Sequence, residues 1–450
     1  MSGQPAAGRV GQRIATGAIL AVFDQVATKI GTTLIFVILV RMLPEAQIAT
    51  LAVASGYLVL VSYFDTNLVR ILLRDYASFA ADLRERDTRF TAYAVFWLAQ
   101  TAAIVLTCLL LQFLVFPRFG MEGLVLVFWA LAADFVALSL QDWVKMAFYA
   151  DLRQRLAVTV STLLNVARLA AIAVIFLAPS LDTYAYVLMV TAVISSLIWI
   201  WLFQNRFRYR PRAARPLLPI IWQSVSEFTL WDHLNRLCID TLFAIDTAIL
   251  ALLGRMEDLA AYSIALRLTS LMMLVPRQIM TGLQLALSRH PEPRTRSLFA
   301  GTYVKLNLLL CALQYAGLLV LAPWLITLLF GTGIDVETVT RFSLVIGLAV
   351  MILGFGLPMM GIVYVMGSIR DLSIRVFLPA LVLGLSAYWV AGHWAGALGM
   401  AWANVVAYTF LTVGLTLAVV RNRLVRPEPR LLLPIEKRWL RRLLRRIGRR

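Results

Sequence analysis

The chain has 450 residues, of which 61% are hydrophobic and only 15% charged, with a mean hydropathy of +0.81; this excludes an ordinary soluble domain and places the protein in a membrane. Lys and Arg outnumber Asp and Glu by 42 to 24. Twelve of the basic residues, against only Glu428 and Glu436, crowd into residues 421–450, so much of the excess is one basic tail and does not call for nucleic acid as a partner.

In chain order, a short polar N-terminus leads into an apolar stretch with no small-residue cleavage site, which reads as a first span and not as a signal peptide. A crossing helix needs about 20 mostly apolar residues. Twelve stretches satisfy this: 14–40, 46–68, 90–116, 121–143, 157–178, 183–204, 226–253, 258–287, 299–330, 340–366, 372–391 and 396–420. Connections on one side hold 32 Lys and Arg, and the other side has only Arg41, Arg118, Arg255 and Arg341. By the positive-inside rule both termini are therefore expected in the cytoplasm. Trp129, Trp143, Trp199, Trp201, Trp222 and Trp324 fall near span ends and read as interface anchors. In the tail, Ile435, Trp439, Leu440, Leu443, Leu444 and Ile447 share one helical face opposite Arg441, Arg442, Arg445 and Arg446. Two readings stand for it: an amphipathic helix on anionic lipid head groups, or an unstructured topogenic tail.

Cys108, Cys238 and Cys311 are far apart in apolar segments, with neither metal-ligand spacing nor a disulfide pattern. No metal and no cofactor is expected. The expected fold is an all-α integral membrane protein of about twelve helices in two six-helix halves around a central cavity. The first half is 1–204, a basic linker 205–219, the second half 220–420 and the basic tail 421–450. Laying the segment from Leu39 on that from Ala251 suggests an internal repeat in which a charged span ends in a tight acidic turn.

Val40-Arg41-Met42-Leu43-Pro44-Glu45, then Leu51-Ala52-Val53-Ala54-Ser55, then Phe64-Asp65-Thr66-Asn67-Leu68 with Arg70, resemble the opening of polysaccharide flippases in the multidrug/oligosaccharidyl-lipid/polysaccharide exporter superfamily. Tyr262-Ser263-Ile264-Ala265 to Pro276 resembles the start of their second half. The glycines usual after the arginine-leucine element and before the second span are replaced by Pro44 and by Gln47-Ile48. The resemblance implies a lipid-linked oligosaccharide of the polyprenyl pyrophosphate type, flipped across a bacterial inner membrane for O-antigen or other surface polysaccharide synthesis, and contact with polymerase machinery.

Charges inside spans are informative whatever the family, because each costs about 2.5–3.5 kcal/mol at a helix centre. Arg168, Arg267 and Arg236, with Lys29 next, are the candidates for an anionic substrate, since guanidinium groups match phosphate oxygens and stay charged when desolvated. Ser263, Arg267, Ser270, Arg277, Thr281 and Gln284 form one stripe of the eighth span, with Pro276 as a possible kink; Gln154, Ser161, Asn165 and Arg168 form another on the fifth. Arg277 itself reads as snorkelling to the cytoplasmic face. Asp232, Arg236 and Asp240 are spaced four apart, so Arg236 can pair with both carboxylates in one helix. Alternatively Asp240 or Asp232, together with Asp24, exchanges a proton or sodium ion. The repeat sets Asp24 against Arg236 as a complementary pair. His233 reads as a structural imidazole or a proton carrier, and Gly354, Gly356 and Gly361 beside Pro358 as close packing or a hinge. No Gly-x4-Gly-Lys-Ser/Thr loop occurs, so any transport would run on a gradient. Two alternatives remain: an ion-coupled multidrug exporter of the same superfamily, or a membrane-embedded glycosyltransferase or polymerase, for which the outer connections offer only Asp335 and Glu337.

Overall fold

A computed structural model describes residues 24, 26–65, 76, 82–119, 122–151, 153–213, 219, 222, 230–254, 258–289, 292–331 and 333–424. The basic tail lies outside them. Among the described residues all regular structure is helical, and nine helices have the length and apolarity to cross a membrane. Three further spans complete the set. The helix over 26–42 (α1) starts beside undescribed residues, and Leu230–Leu252 (α7) has the length but carries Asp232, Arg236, Asp240 and Asp246. The 53-residue stretch Ile369–Arg421 is twice what a crossing requires. It breaks at Gly396, whose φ of 57° lies in a region open to glycine and strained for other residues. Its arms on either side of Gly396 are α11 and α12, matching the predicted break between 391 and 396.

The remaining helices are α2 (Glu45–Ser62), α3 (Leu83–Leu110), α4 (Val125–Ala150), α5 (Gln154–Ile172), α6 (Leu181–Phe207), α8, α9 (Pro293–Phe330) and α10 (Val336–Met366). Helix α3 begins seven residues before its predicted span because Asp82 caps it, accepting from the Arg84 and Glu85 amides. Helix α8 runs as Leu259–Ser270, a 3-10 turn at Leu271–Met273, and Leu274–Arg289. The irregularity falls just before Pro276, which lacks the amide hydrogen that would bond one turn back.

One apolar core runs through both halves, from Leu39 and Val53 to Leu250, Leu353 and Leu411. A second, aromatic core fills the ends of α3, α4 and α6 next to the basic connections, with Phe90 against Trp143, Phe203 and Phe207. It corrects two of the expected interface anchors: Trp199 is 1% and Trp143 7% exposed, packed inside the first half. Trp201, Trp222 and Trp324 do lie on the surface. The close-packing glycines of α10 behave as expected. A β-carbon on Gly361 would stand 3.0 Å from Met280, and one on Gly354 3.2 Å from Pro276, so α8 and α10 approach at van der Waals distance.

Candidate functional site

The halves meet along two seams. On one, α2 of the first half lies against α7 of the second. Gly56 permits the approach, since a β-carbon there would be 2.9 Å from the Ala248 amide nitrogen. Polar bonds then run along the seam. The Thr247 hydroxyl donates to the Ala52 carbonyl at 3.2 Å, and the Tyr63 and Thr241 hydroxyls bond at 2.8 Å. His233 Nε2 is 2.9 Å from the Tyr63 carbonyl, an acceptor, which makes Nε2 the protonated nitrogen. Arg236 reaches Asp65 Oδ2 at 3.1 Å and also donates to the Asp65 carbonyl. Its distance to Asp240 is 3.9 Å. This corrects the expected intrahelical trio: the principal partner of Arg236 comes from the other half, and the described ion pairs of Arg236 do not include Asp232, which is buried at 2% exposure. Asp65 sits just past the end of α2, and no spacing rule links it to a residue 171 positions away.

The other seam carries only cations. A cavity of about 300 Å³ lies between α1, α2, α7 and α8 and is lined by Lys29, Phe36, Ser55, Thr247, Ser263, Arg267, Ser270 and Arg277 among others, with no carboxylate in its lining. Helix α8 delivers Ser263, Arg267, Ser270 and Arg277 to it, as the periodicity of the stripe predicts. Arg277 is therefore a cavity residue, not the snorkelling one expected. The Arg267 guanidinium stands 5.1 Å from the centroid of the Phe36 ring on α1, a cation–π contact in place of an ion pair. Among the described residues none of Lys29, Arg267 and Arg277 has an ion-pair partner.

The other expected site residues lie elsewhere. Arg168 bonds Asp134 of α4 at 2.8 Å, and Asn165 donates to Thr28 of α1 at 2.9 Å, so the stripe on α5 ties the first half together and does not line this cavity. Asp24, 3% exposed, pairs with Lys145 of α4 at 3.2 Å, and Lys145 also reaches Asp142 at 3.0 Å. Asp24 and Arg236 thus have separate partners, and the complementary pair suggested by the repeat does not form.

Asp246 is not among the residues that sequence reasoning singles out. In the structure it is 0% exposed. The Tyr262 hydroxyl donates to its carboxylate at 2.6 Å, Asn404 Nδ2 at 3.2 Å and the Thr247 amide at 2.8 Å. Asn404 accepts in turn from Tyr388 at 2.6 Å. The cluster joins α7, α8, α11 and α12 entirely through neutral donors. Asn404, a lone amide in the last apolar span, was the legible signal for it.

At the end away from the basic connections, Arg41 closes the assembly. It lies in the last turn of α1 and donates through Nε to the Leu329 carbonyl at 2.7 Å and through Nη2 to that of Leu328, both at the C-terminus of α9. Phe36 and Phe330 meet edge to face at 6.2 Å beside it.

No protein-family model matches the sequence, and no curated protein does. Solved structures share its fold. An inward-facing multidrug resistance MATE family transporter of the MOP superfamily superposes with a TM-score of 0.68 at 14% identity, over 88% of this chain and 95% of that one. The lipid II flippase MurJ, in an inward closed conformation, gives 0.67 at 11% identity, over 90% and 87%. An outward-facing MATE family transporter gives 0.59 at 15% identity, over 92% and 96%. The chain thus has the fold common to MATE transporters and the MurJ flippase.

Proposed function

We propose that this protein is a flippase that moves a lipid-linked oligosaccharide of the polyprenyl pyrophosphate type from the inner to the outer leaflet of a bacterial inner membrane, by alternating access of its two halves. The observation that carries the reading is the cavity between the halves, where Lys29, Arg267 and Arg277 converge without a carboxylate. Cations at membrane depth are costly unless something anionic neutralises them. A pyrophosphate offers several acceptor oxygens to groups contributed by both halves, so its binding couples the halves, while its lipid tail remains in the bilayer. Lys29, Arg267 and Arg277 are the substrate-binding residues of this reading; Arg236 and Arg168 hold structure. Arg41 and Phe36 close one end against α9, and the higher superposition score to an inward-facing than to an outward-facing transporter agrees with a cavity approached from the basic side.

Energy for a cycle comes from an ion or substrate gradient. Asp246 suits the exchange of a proton or small cation better than Asp24, which a lysine neutralises, and joins Asp232 and Asp240 as a coupling candidate. A multidrug exporter handling cations is disfavoured by the three like charges its cargo would meet. The glycosyltransferase reading loses one of its two outer acids: Asp335 caps α10, and its bonds from the Thr338 hydroxyl and amide hold its carboxyl below the usual range, unsuited to general-acid work. Both termini in the cytoplasm and contact with polysaccharide polymerase machinery belong to the same proposal.

The test is reconstitution in liposomes with a labelled lipid-linked oligosaccharide, reading its arrival in the far leaflet with and without a pH or sodium gradient. Arrival that depends on the protein, quickens with a gradient and falls in Lys29→Gln/Arg267→Gln supports the proposal. Unchanged transport in that variant, or covalent change of the sugar chain, overturns it.

A further inference from the structure

The first half carries a second apolar feature, far from the cationic cavity. Helices α4 and α6 pack closely while α3 stands off from both, leaving a groove of about 400 Å³. Its floor is made of small residues, Ala132, Ala133, Ala137 and Ala192, and its walls include Trp97 and Leu197. The flanks face outward: Leu106 is 58%, Val193 58% and Leu197 60% exposed, at depths where the surroundings are hydrocarbon. Water has no partners in such a groove, and a hydrocarbon chain fills it without cost. Among the polar side chains of the lining, the Thr101 and Ser196 hydroxyls and Trp129 Nε1 bond within the protein. Trp97 Nε1 is buried and has no hydrogen-bond partner among the described residues, and Trp97 is the lining residue of α3 nearest the basic end.

The same two helices, α3 and α6, end in an ordered cluster of arginines. The Arg153 guanidinium lies 5.7 Å from the Phe207 ring centroid and donates to the Arg206 carbonyl at 3.2 Å. Arg86 donates to the Phe207 carbonyl at 2.9 Å. Past Phe207 the chain turns through Arg208 in a left-handed conformation, φ 49°, unfavourable for a residue with a β-carbon. It is then fastened to α3: the Arg210 amide donates to Asp87, and the Arg212 amide and the Tyr209 hydroxyl bond Thr91. The nearby acids are already engaged, Asp87 by Arg86, Asp151 by Arg153 and Glu85 by Arg89. The side chains of Arg206, Arg208, Arg210 and Arg212 are exposed and pair with no carboxylate among the described residues. From Ile200, at the edge of the groove, to Arg206 the helix rises about 9 Å, comparable to the depth of a lipid's glycerol region.

We propose that the first half binds one anionic glycerophospholipid, with an acyl chain in the groove between α3, α4 and α6, its phosphate at the arginines around Phe207, and an ester or phosphate oxygen accepting from Trp97. Basic residues scattered only to orient spans need neither a fastened backbone nor an adjacent groove; here both are present. The site is independent of what the central cavity carries, so failure of the flippase reading leaves it standing.

The experiment is native mass spectrometry of the full chain purified in mild detergent, titrated with phosphatidylglycerol or phosphatidylcholine. The wild type is expected to hold a single phosphatidylglycerol about tenfold more tightly than phosphatidylcholine. Arg206→Gln/Arg208→Gln/Arg210→Gln, changes confined to exposed side chains, should bring the two lipids level, and Ala133→Phe, which fills the groove, should weaken both. Retained preference in the arginine variant, or retained binding in an Ala133→Phe protein of unchanged melting temperature, overturns the proposal. If Ala133→Phe does not fold, crosslinking of the wild type with a phosphatidylglycerol photoreactive in its acyl chain decides: label concentrated on α3, α4 and α6 supports the site, and label spread evenly over the outward surface overturns it. Displacement by polyprenyl phosphate at equal potency would give the groove to a cargo tail instead, and would equally overturn it.

Discussion

The seams α2–α7 and α1–α8 join the same two halves and are chemically opposite. Along α2–α7 polar groups from one half meet complementary ones from the other, ending in the Arg236–Asp65 ion pair. Along α1–α8 the facing charges are Lys29 from one half and Arg267 and Arg277 from the other, and among the described residues Arg267 rests on the face of an aromatic ring in place of a carboxylate. A seam that satisfies itself holds the halves in register. A seam of like charges stores an unmet demand for an anion, which is where a substrate can act on the relative position of the halves.

The largest effect expected from breaking this contrast is on transport. Lys29→Gln/Arg267→Gln removes two charge-assisted contacts worth about 1.5–3 kcal/mol each, so flux in liposomes should fall by about two to four orders of magnitude, while melting temperature holds or rises as like charges disappear. Next comes Arg168→Gln, the control that separates a paired guanidinium from unpaired ones. It strands Asp134 in a largely buried site and should destabilise the protein by about 3 kcal/mol, seen as a lower melting temperature. Gly56→Leu attacks the self-satisfied seam directly. With Ala248 and Thr247 in the way of a side chain, overpacking should cost about 1–3 kcal/mol and, in spin-label distance measurements, part α2 from α7. The smallest effect belongs to Arg41→Ala. An exposed cation on the carbonyls of a helix C-terminus contributes about 0.3–1 kcal/mol, enough to shift the same distances toward the form open at that end without a measurable change in melting temperature.

The pattern of apolar segments announced the twelve spans, down to the break at Gly396, because a crossing helix has a length imposed by the bilayer and must satisfy its backbone internally. The polar stripe on α8 was legible for a similar reason: Ser263, Arg267 and Ser270 recur at helical spacing. Periodicity also put Arg277 on that stripe, but its depth counted by residue rise assigned it to the cytoplasmic surface; in the structure it lines the cavity. Nor could the tryptophans near span ends be sorted, since Trp199 and Trp201 differ by two positions, one in the aromatic core and the other on the surface.

Sequence by itself determined that this is a membrane protein of two helical halves and which residues carry charge into the bilayer, since length, hydropathy and helical repeat are local properties. Tertiary structure decided which of those charges are already answered. Arg168 and Arg236 find Asp134 and Asp65, Asp24 finds Lys145, and Asp246 is ringed by neutral donors, whereas Lys29, Arg267 and Arg277 are left facing one cavity. Coulomb energy depends on separation in space, and a chain that turns back on itself between successive spans brings together residues whose positions in sequence say nothing of their distance.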